Sequence, residues 1–100
     1  MLKRIIMWRL KDIAQEKIKK DNASKLKEML EQLPGKISDI EHFKIALNKA
    51  DAPEAADVVL ISFFADRQAY ERFLTHPEHL KTLEFIKNIE SDRWFIEYED

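Results

Sequence analysis

The sequence predicts an α+β fold in which a four-stranded antiparallel sheet carries its helices on one face. Three observations support this prediction. Four stretches have the apolar patterns of strands, other stretches place apolar residues at helical spacing, and prolines, a glycine and polar turns separate them. The chain has 100 residues and shows neither an internal repeat nor a linker, so we assign residues 1–100 to a single domain.

The strand patterns are of two kinds. Leu2–Leu10 and residues 57–64 are apolar on both faces, which is typical of strands at the centre of a sheet. Residues 41–48 and 93–99 mix apolar with polar side chains, which is typical of edge strands.

The first helix is predicted over residues 21–33, with an alternative start near Gln15. Pro34 and Gly35 end this helix, and Gly35, the single glycine, is expected to need a positive φ angle. A short second helix begins at Asp66.

The third helix begins in the stretch Thr75-His76-Pro77-Glu78-His79 and ends near Ile89. Proline is favoured at the first helical position, so His76 is predicted as the N-cap and Pro77 as the first residue. His79 then shares a face with the apolar residues Leu83 and Ile86. The alternative is a capping motif in which the second histidine is incidental.

The order strand, helix, strand, strand, helix pair, strand is that of a ferredoxin-like fold. Helices in a single layer cover one face of the sheet, which leaves Ile5, Met7, Leu60 and Phe64 to meet water on the other. A second copy of the chain placed sheet against sheet would cover them, so we expect a homodimer; a monomer with tolerated surface hydrophobes is the alternative.

Composition excludes several classes of function. The formal net charge of −2 argues against nucleic acid or an anionic membrane as a partner, and the absence of cysteine fits a reducing, cytoplasmic location. The three histidines lack ligand spacing, so we expect no metal, and no motif indicates a cofactor.

Four segments together resemble the stress-responsive dimeric α/β-barrel family: LKRIIMWRLKD, DVVLISFF, THPEHLKTLEFIK and WFIEYE. The resemblance covers nearly the whole chain and implies a homodimer in which two sheets close a barrel. It places one set of residues toward the helices, namely Arg4, Ile6, Trp8, Val59, Ile61, Phe95 and Glu97. It places another set toward the partner subunit, namely Ile5, Met7, Leu60, Trp94, Ile96 and Tyr98.

A plant polyketide cyclase of that family, which closes a linear tetraketide by an aldol step, implies four site positions. Its catalytic histidine corresponds to His79 and its orienting carboxylate to Glu97. Its tyrosine corresponds to Phe73, and its histidine on the first strand corresponds to Arg4, so two of the four polar groups differ here.

We therefore expect His79 and Glu97 to form a hydrogen-bonded pair at the mouth of a pocket between sheet and helices. An oriented imidazole can act as a general base next to a carbonyl; a purely structural pair is the alternative. The predicted ligand-binding residues are Arg4, Ile6, Trp8, Val59, Phe73 and His76. Among these, Arg4 either binds an anionic ligand or pairs with an acidic group on a neighbouring strand, and Trp8 either lines or fills the pocket.

Three functions stay open at this stage. The first is a small-molecule pocket with proton-transfer chemistry on a carbonyl compound, which an internal cavity reaching His79 with room for a bicyclic ligand would favour. The second is a non-catalytic, dimeric stress-tolerance protein, which a filled interior would favour. The third is cofactor-free oxygenation of an aromatic compound, as in related dimeric ferredoxin-like barrels.

Overall fold

The computed structural model describes all of residues 1–100 and has the predicted α+β architecture. The elements, in chain order, are β1 (Leu2–Leu10), β2 (Ile13–Ala14), β3 (Lys17–Ile18), α1 (Lys19–Glu31), a 3₁₀ turn (Leu33–Gly35), β4 (Ile40–Leu47), β5 (Val58–Phe64), α2 (Arg67–Thr75), α3 (Pro77–Ile89) and β6 (Glu90–Glu99). Four strands form the main sheet in the antiparallel order β4-β5-β1-β6. The two strands that are apolar on both faces are central and the mixed ones are edges, which confirms the ferredoxin-like prediction. None of the helices has the length and apolar character that spanning a bilayer requires.

A short hairpin between β1 and α1 was not predicted. β2 pairs with β3 through a two-residue turn, in which Gln15 has a φ angle of 53° and Glu16 a φ angle of 61°. Two successive positive φ angles are the signature of a type I′ turn, which usually carries Asn-Gly. The helix start proposed near Gln15 is therefore wrong, and α1 begins at Lys19.

Gly35 does not have the predicted positive φ angle. The chain leaves α1 through a 3₁₀ turn with right-handed backbone, and a methyl group built on Gly35 would meet no atom within 4 Å. The turn therefore relies on Pro34 and places no steric demand on the glycine.

The pairing of strands fixes which residues share a face. Ile6 lies opposite Leu60 in β5 and Phe95 in β6, on the side of the sheet that carries the helices. Met7 lies opposite Val59 and Trp94, on the outer side. The predicted faces are thus correct for β1 and β6 but inverted for β5.

The inversion changes four assignments. Leu60 and Phe64 are buried under the helices, with 4% and 0% of their surface exposed, whereas Val59 and Ile61 lie on the outer face. The cause is that β5 is apolar on both sides, so alternation alone cannot say which set of residues faces inward.

The helices cover the sheet unevenly. α1 packs against β4 and β1, and α2 packs against β4 and β5, whereas α3 packs chiefly against α1, α2 and the hairpin. On the helix side of β6, Phe95 keeps 63% of its surface exposed. A gap therefore opens between α3 and the sheet, beside the uncovered edge strand.

The outer face of the sheet is bare and apolar at its centre. Met7, Trp94, Ile96 and Tyr98 are 41–58% exposed, and Ile5 and Ile61 are half-buried beside them. Charged side chains appear on this face mainly at its margins.

Candidate functional site

A cavity of about 180 Å³ lies between α3 and the sheet. Nine of its 13 lining residues are hydrophobic. The lining residues are Arg4, Ile6, Trp8, Leu30, Leu60, Ser62, Tyr70, Phe73, Leu74, His79, Leu83, Ile86 and Arg93. An engineered apolar cavity of about 150 Å³ accepts benzene, so this volume suits a single six-membered ring with a small substituent. The cavity reaches His79 but is smaller than the bicyclic-sized space that was named as favouring a ligand pocket, and it is not a filled interior either.

Five of the predicted site residues line this cavity: Arg4, Ile6, Trp8, Phe73 and His79. Three others do not. Val59 lies on the outer face for the reason given above, His76 caps α3, and Glu97 lies beyond Arg4 in an ion pair.

His79 is held as a neutral imidazole. It is the third residue of α3 and only 8% exposed, and its Nδ1 lies 3.2 Å from the Leu74 carbonyl oxygen. A carbonyl oxygen only accepts hydrogen bonds, so Nδ1 carries the proton and Nε2 keeps its lone pair. Burial lowers the pKa of His79 below its usual value, and the bond to Leu74 opposes that shift only in part.

The predicted pair between His79 and Glu97 does not form. Glu97 accepts hydrogen bonds from Arg4, at 2.6 Å, and from Arg67. These guanidinium groups, Arg67 first, hold the pKa of Glu97 below its usual value. The carboxylate is thus satisfied by cations, while His79 is oriented by a backbone carbonyl instead.

Arg4 follows the second of its two predicted roles. Arg4 and Glu97 lie directly opposite each other on neighbouring strands and form the ion pair just described. The guanidinium carbon also lies 4.6 Å from the centre of the Tyr70 ring and 4.8 Å from that of Phe95. The ion pair and the two ring contacts together hold Arg4 in place as part of the cavity wall.

A tyrosine enters the cavity from a position that the sequence did not suggest. Tyr70 precedes Phe73 by one helical turn, so both side chains lie on the same face of α2 and line the cavity. Tyr70 is 9% exposed, and burial raises the pKa of its hydroxyl, which therefore stays protonated at neutral pH. The phenol missing at Phe73 is thus present one turn earlier, and the helical spacing of residues 70 and 73 was the available signal.

His76 has the capping role that the sequence predicted. Its Nδ1 accepts a hydrogen bond from the backbone N–H of Glu78 at 3.1 Å, and Pro77 occupies the first turn of α3. This cap sets where α3 begins and therefore where His79 points. The assignment of His76 to ligand binding is not supported, because it is not among the lining residues.

Trp8 lines the cavity without filling it. The residue is 2% exposed, and its Nε1 is buried with no hydrogen-bond partner. Ser62, also buried and missed from the sequence, lines the same cavity from β5. No group of three or more acidic or histidine side chains is arranged to hold a metal ion.

Comparison with known proteins gives a consistent result. The family model described as Stress responsive A/B Barrel Domain matches residues 2–100. A dimeric ferredoxin-like protein of unknown function from Bacteroides fragilis is 29% identical, with a TM-score of 0.85 over 99% of this chain and 95% of that one. No curated protein matches the sequence.

Two more distant structures share the fold. A dimeric ferredoxin-like protein of unknown function from Thermobifida fusca is 17% identical, with a TM-score of 0.84 over 99% of this chain and 90% of that one. A hydroxynitrile lyase from Passiflora edulis is 14% identical, with a TM-score of 0.78 over 97% of this chain and 90% of that one. At these identities the likeness concerns the fold alone.

Proposed function

The chain belongs to the family of the stress-responsive A/B barrel domain, and from this membership we propose a function for its cavity. The cavity binds a small apolar carbonyl compound, and His79 removes a proton from the carbon next to the carbonyl. The observation that carries this proposal is a buried, neutral imidazole that lines an apolar, ring-sized cavity and keeps one nitrogen unprotonated.

The chemistry needs a base whose lone pair is available at neutral pH. The proton of the substrate C–H bond passes to Nε2 of His79, and the electron pair of that bond moves toward the carbonyl oxygen, giving an enolate. The Leu74 carbonyl supports the positive charge that forms on the ring, because it already accepts the hydrogen bond from Nδ1. Tyr70, protonated and lining the same cavity, is the nearest counterpart of the cyclase tyrosine.

The test measures exchange of protons for deuterium next to the carbonyl. Single-ring ketones are incubated with the protein in D₂O and followed by proton NMR. We expect His79→Gln to lower the protein-dependent exchange rate by about 100-fold, within the range for loss of a general base. His42→Gln is the matched control, because His42 lies on the outer face of β4 and does not line the cavity. Equal rates for His79→Gln and the unchanged protein would contradict the proposal.

A non-catalytic role is the second candidate, and one observation favours it. The bond from His79 Nδ1 to Leu74 ties the first turn of α3 to the end of α2, which is a bracing contact in its own right. If bracing is its whole role, His79→Gln lowers the free energy of unfolding, and no ketone of suitable size binds or exchanges in either protein.

The assembly proposed for this chain is a homodimer through the outer face of the sheet. The similar proteins from B. fragilis and T. fusca are described as dimeric, which supports this assignment. The proposed contact residues are Ile5, Met7, Trp94, Ile96 and Tyr98 from the sequence prediction, with Val59, Ile61 and Phe63 taking the place of Leu60.

A further inference from the structure

The wall of the cavity carries positive charge and no negative charge. Among its 13 lining residues, Arg4 and Arg93 are cationic and none is acidic. Arg4 is balanced by Glu97, which lies opposite it on the neighbouring strand at 2.6 Å. Arg93 is therefore the cation of the cavity wall whose charge is left to be balanced.

The guanidinium of Arg93 lacks a well-placed acceptor within the protein. The one carboxylate that it approaches is that of Glu90, whose Oε2 lies 4.0 Å from Nε of Arg93, and this is too far for a hydrogen bond. The same oxygen is buried without a hydrogen-bond partner, so the contact satisfies neither group. The side chain of Arg93 is 51% exposed, which leaves its N–H groups open to an anion that arrives from solvent.

Two observations place the charge of Arg93 at the mouth of the cavity. Arg93 lines the cavity from the edge strand β6, opposite Trp8 on β1, where the gap beneath α3 is uncovered. Its charge also reaches the hydroxyl of Tyr70 inside the cavity. Burial raises the pKa of that hydroxyl, whereas nearby guanidinium groups, Arg4 first and Arg93 among them, oppose the rise.

We propose that Arg93 binds a carboxylate of the ligand, so that the cavity takes a single-ring carboxylate with the ring inside and the charge at the mouth. This inference rests on the proposed function, because it adds an anionic group to the carbonyl ligand of the same cavity. The volume of about 180 Å³ limits the apolar body to one ring. One unbalanced guanidinium matches one negative charge, and its planar fork of N–H groups suits the two oxygens of a carboxylate. The anion-binding role that the sequence allowed for Arg4 thus falls to Arg93.

A matched pair of probes isolates the charge. Phenylacetate and phenylacetamide have nearly the same shape, and only the first is charged at neutral pH, because carboxylic acids have a pKa of roughly 4. Each is titrated into ¹⁵N-labelled protein at low ionic strength, and the shifts of backbone amide signals give its dissociation constant. We expect phenylacetate to bind about 10-fold more tightly, as a charge-assisted hydrogen bond allows. Added salt should reduce this preference, because ions screen a half-exposed charge.

Arg93→Gln tests whether the preference comes from this guanidinium. We expect the affinity ratio of phenylacetate to phenylacetamide to fall to about one, because the amide side chain carries no charge. Arg72→Gln is the matched control, because it makes the same change in chemistry and net charge at a residue of α2 that does not line the cavity. A second variant, Arg93→Lys, keeps the charge but not the planar fork, so its ratio should lie between those of Arg93→Gln and the unchanged protein.

The outcomes separate this inference from the proposed function. Equal affinities of the two probes in the unchanged protein, or a preference that persists in Arg93→Gln, overturn the role of Arg93 while leaving a ligand cavity in place. Binding of neither probe also overturns it, and the exchange of ketone protons then decides the proposed function by itself. A preference lost in Arg93→Gln and kept in Arg72→Gln, together with equal ketone exchange in His79→Gln and the unchanged protein, supports the inference and contradicts the base.

Discussion

At the scale of the residue, the environment of His79 explains why a carbonyl oxygen, rather than a carboxylate, orients the ring. A carboxylate partner would favour the charged imidazolium, whereas the Leu74 carbonyl fixes the tautomer and burial keeps the ring neutral. Glu97 does not orient the ring, because its two carboxylate oxygens accept hydrogen bonds from Arg4 and Arg67.

The sequence pattern identified several residues that line the cavity, but it missed contacts that depend on tertiary structure. The helix start at Pro77 and the alternation of β1 were enough to bring His79, Ile6 and Trp8 to one cavity. Arg67 could not be foreseen as the partner of Glu97, because the two residues are 30 positions apart and only the tertiary fold brings the first residue of α2 within reach of β6.

The stability of the protein should fall in mildly acidic solution because of His79. Its pKa is lowered in the folded state, so below the ordinary value of 6.5 the unfolded chain binds the proton more readily than the folded one. The contribution of neutral His79 to the free energy of unfolding is fully present above pH 6.5, and it is lost as the pH falls toward the lower pKa of the folded state. Urea unfolding at a fixed protein concentration, repeated over this pH range, measures the effect.

Two variants test whether His79 causes this pH dependence. His79→Gln should remove the part of the stability loss that begins near pH 6.5, because the titrating group is gone. Glu97→Gln should leave that part in place, since no bond joins Glu97 to His79; its own carboxylate has a lowered pKa and affects stability only as the pH falls below about 4.5. A histidine titration that shifts upon Glu97→Gln would show that the two groups do interact.

At the scale of the element, the faces of β1 and β6 were predicted correctly and those of β5 were not. The family resemblance, rather than alternation, placed the faces of all three strands, because β1 and β5 are each apolar on both sides. β5 has a single polar residue, Ser62, and it lies inside at the cavity rather than outside in water. The register with β1 decides its orientation, and register is a property of the assembled sheet.

The hairpin of β2 and β3 was missed because its two turn residues are not of the types that usually adopt positive φ angles. Gln15 and Glu16 both adopt positive φ angles of 53° and 61°, where side chains with a Cβ are strained. The buried Asn22 compensates by donating to the carbonyl oxygens of Ala14 and Lys17 on either side of the turn. A contact from α1 thus holds a turn that its own two residues do not favour.

Replacing one of these residues by glycine should stabilise the protein. We expect Glu16→Gly to raise the free energy of unfolding by about 1 kcal/mol, because glycine adopts a positive φ angle without steric cost. Gly35→Ala is the reciprocal control: Gly35 has no positive φ angle and has room for a methyl group, so alanine should be tolerated or add about 0.5 kcal/mol. Both changes are measured by urea unfolding, and destabilisation by Glu16→Gly would rule out a strained turn.

At the scale of the whole molecule, the uneven helix layer accounts for both candidate surfaces. Because α3 packs on the other helices and the hairpin rather than closely on the sheet, a ring-sized cavity remains beneath it. Because all helices lie on one side, the other side of the sheet presents a continuous apolar centre. The sequence predicted the bare face from the order of elements, but not the volume of the cavity, which depends on how side chains pack.

The homodimer is tested by placing a charge at the centre of the bare face. Ile96 lies directly opposite Ile5 and is 58% exposed in the isolated chain, so pairing two sheets would bury it. We expect Ile96→Asp to convert a dimer into a folded monomer of 11.9 kDa, because two carboxylates would have to enter an apolar interface without partners. Sedimentation equilibrium at micromolar concentration gives the mass.

Leu80→Asp is the control, because it makes a similar change at a 50% exposed position on α3, away from the sheet, and should leave the dimer intact. An unchanged protein that sediments as a monomer would contradict the assembly outright. A dimer that persists in Ile96→Asp but dissociates in Leu80→Asp would move the interface to the helices, where it would lie beside the cavity instead of behind it.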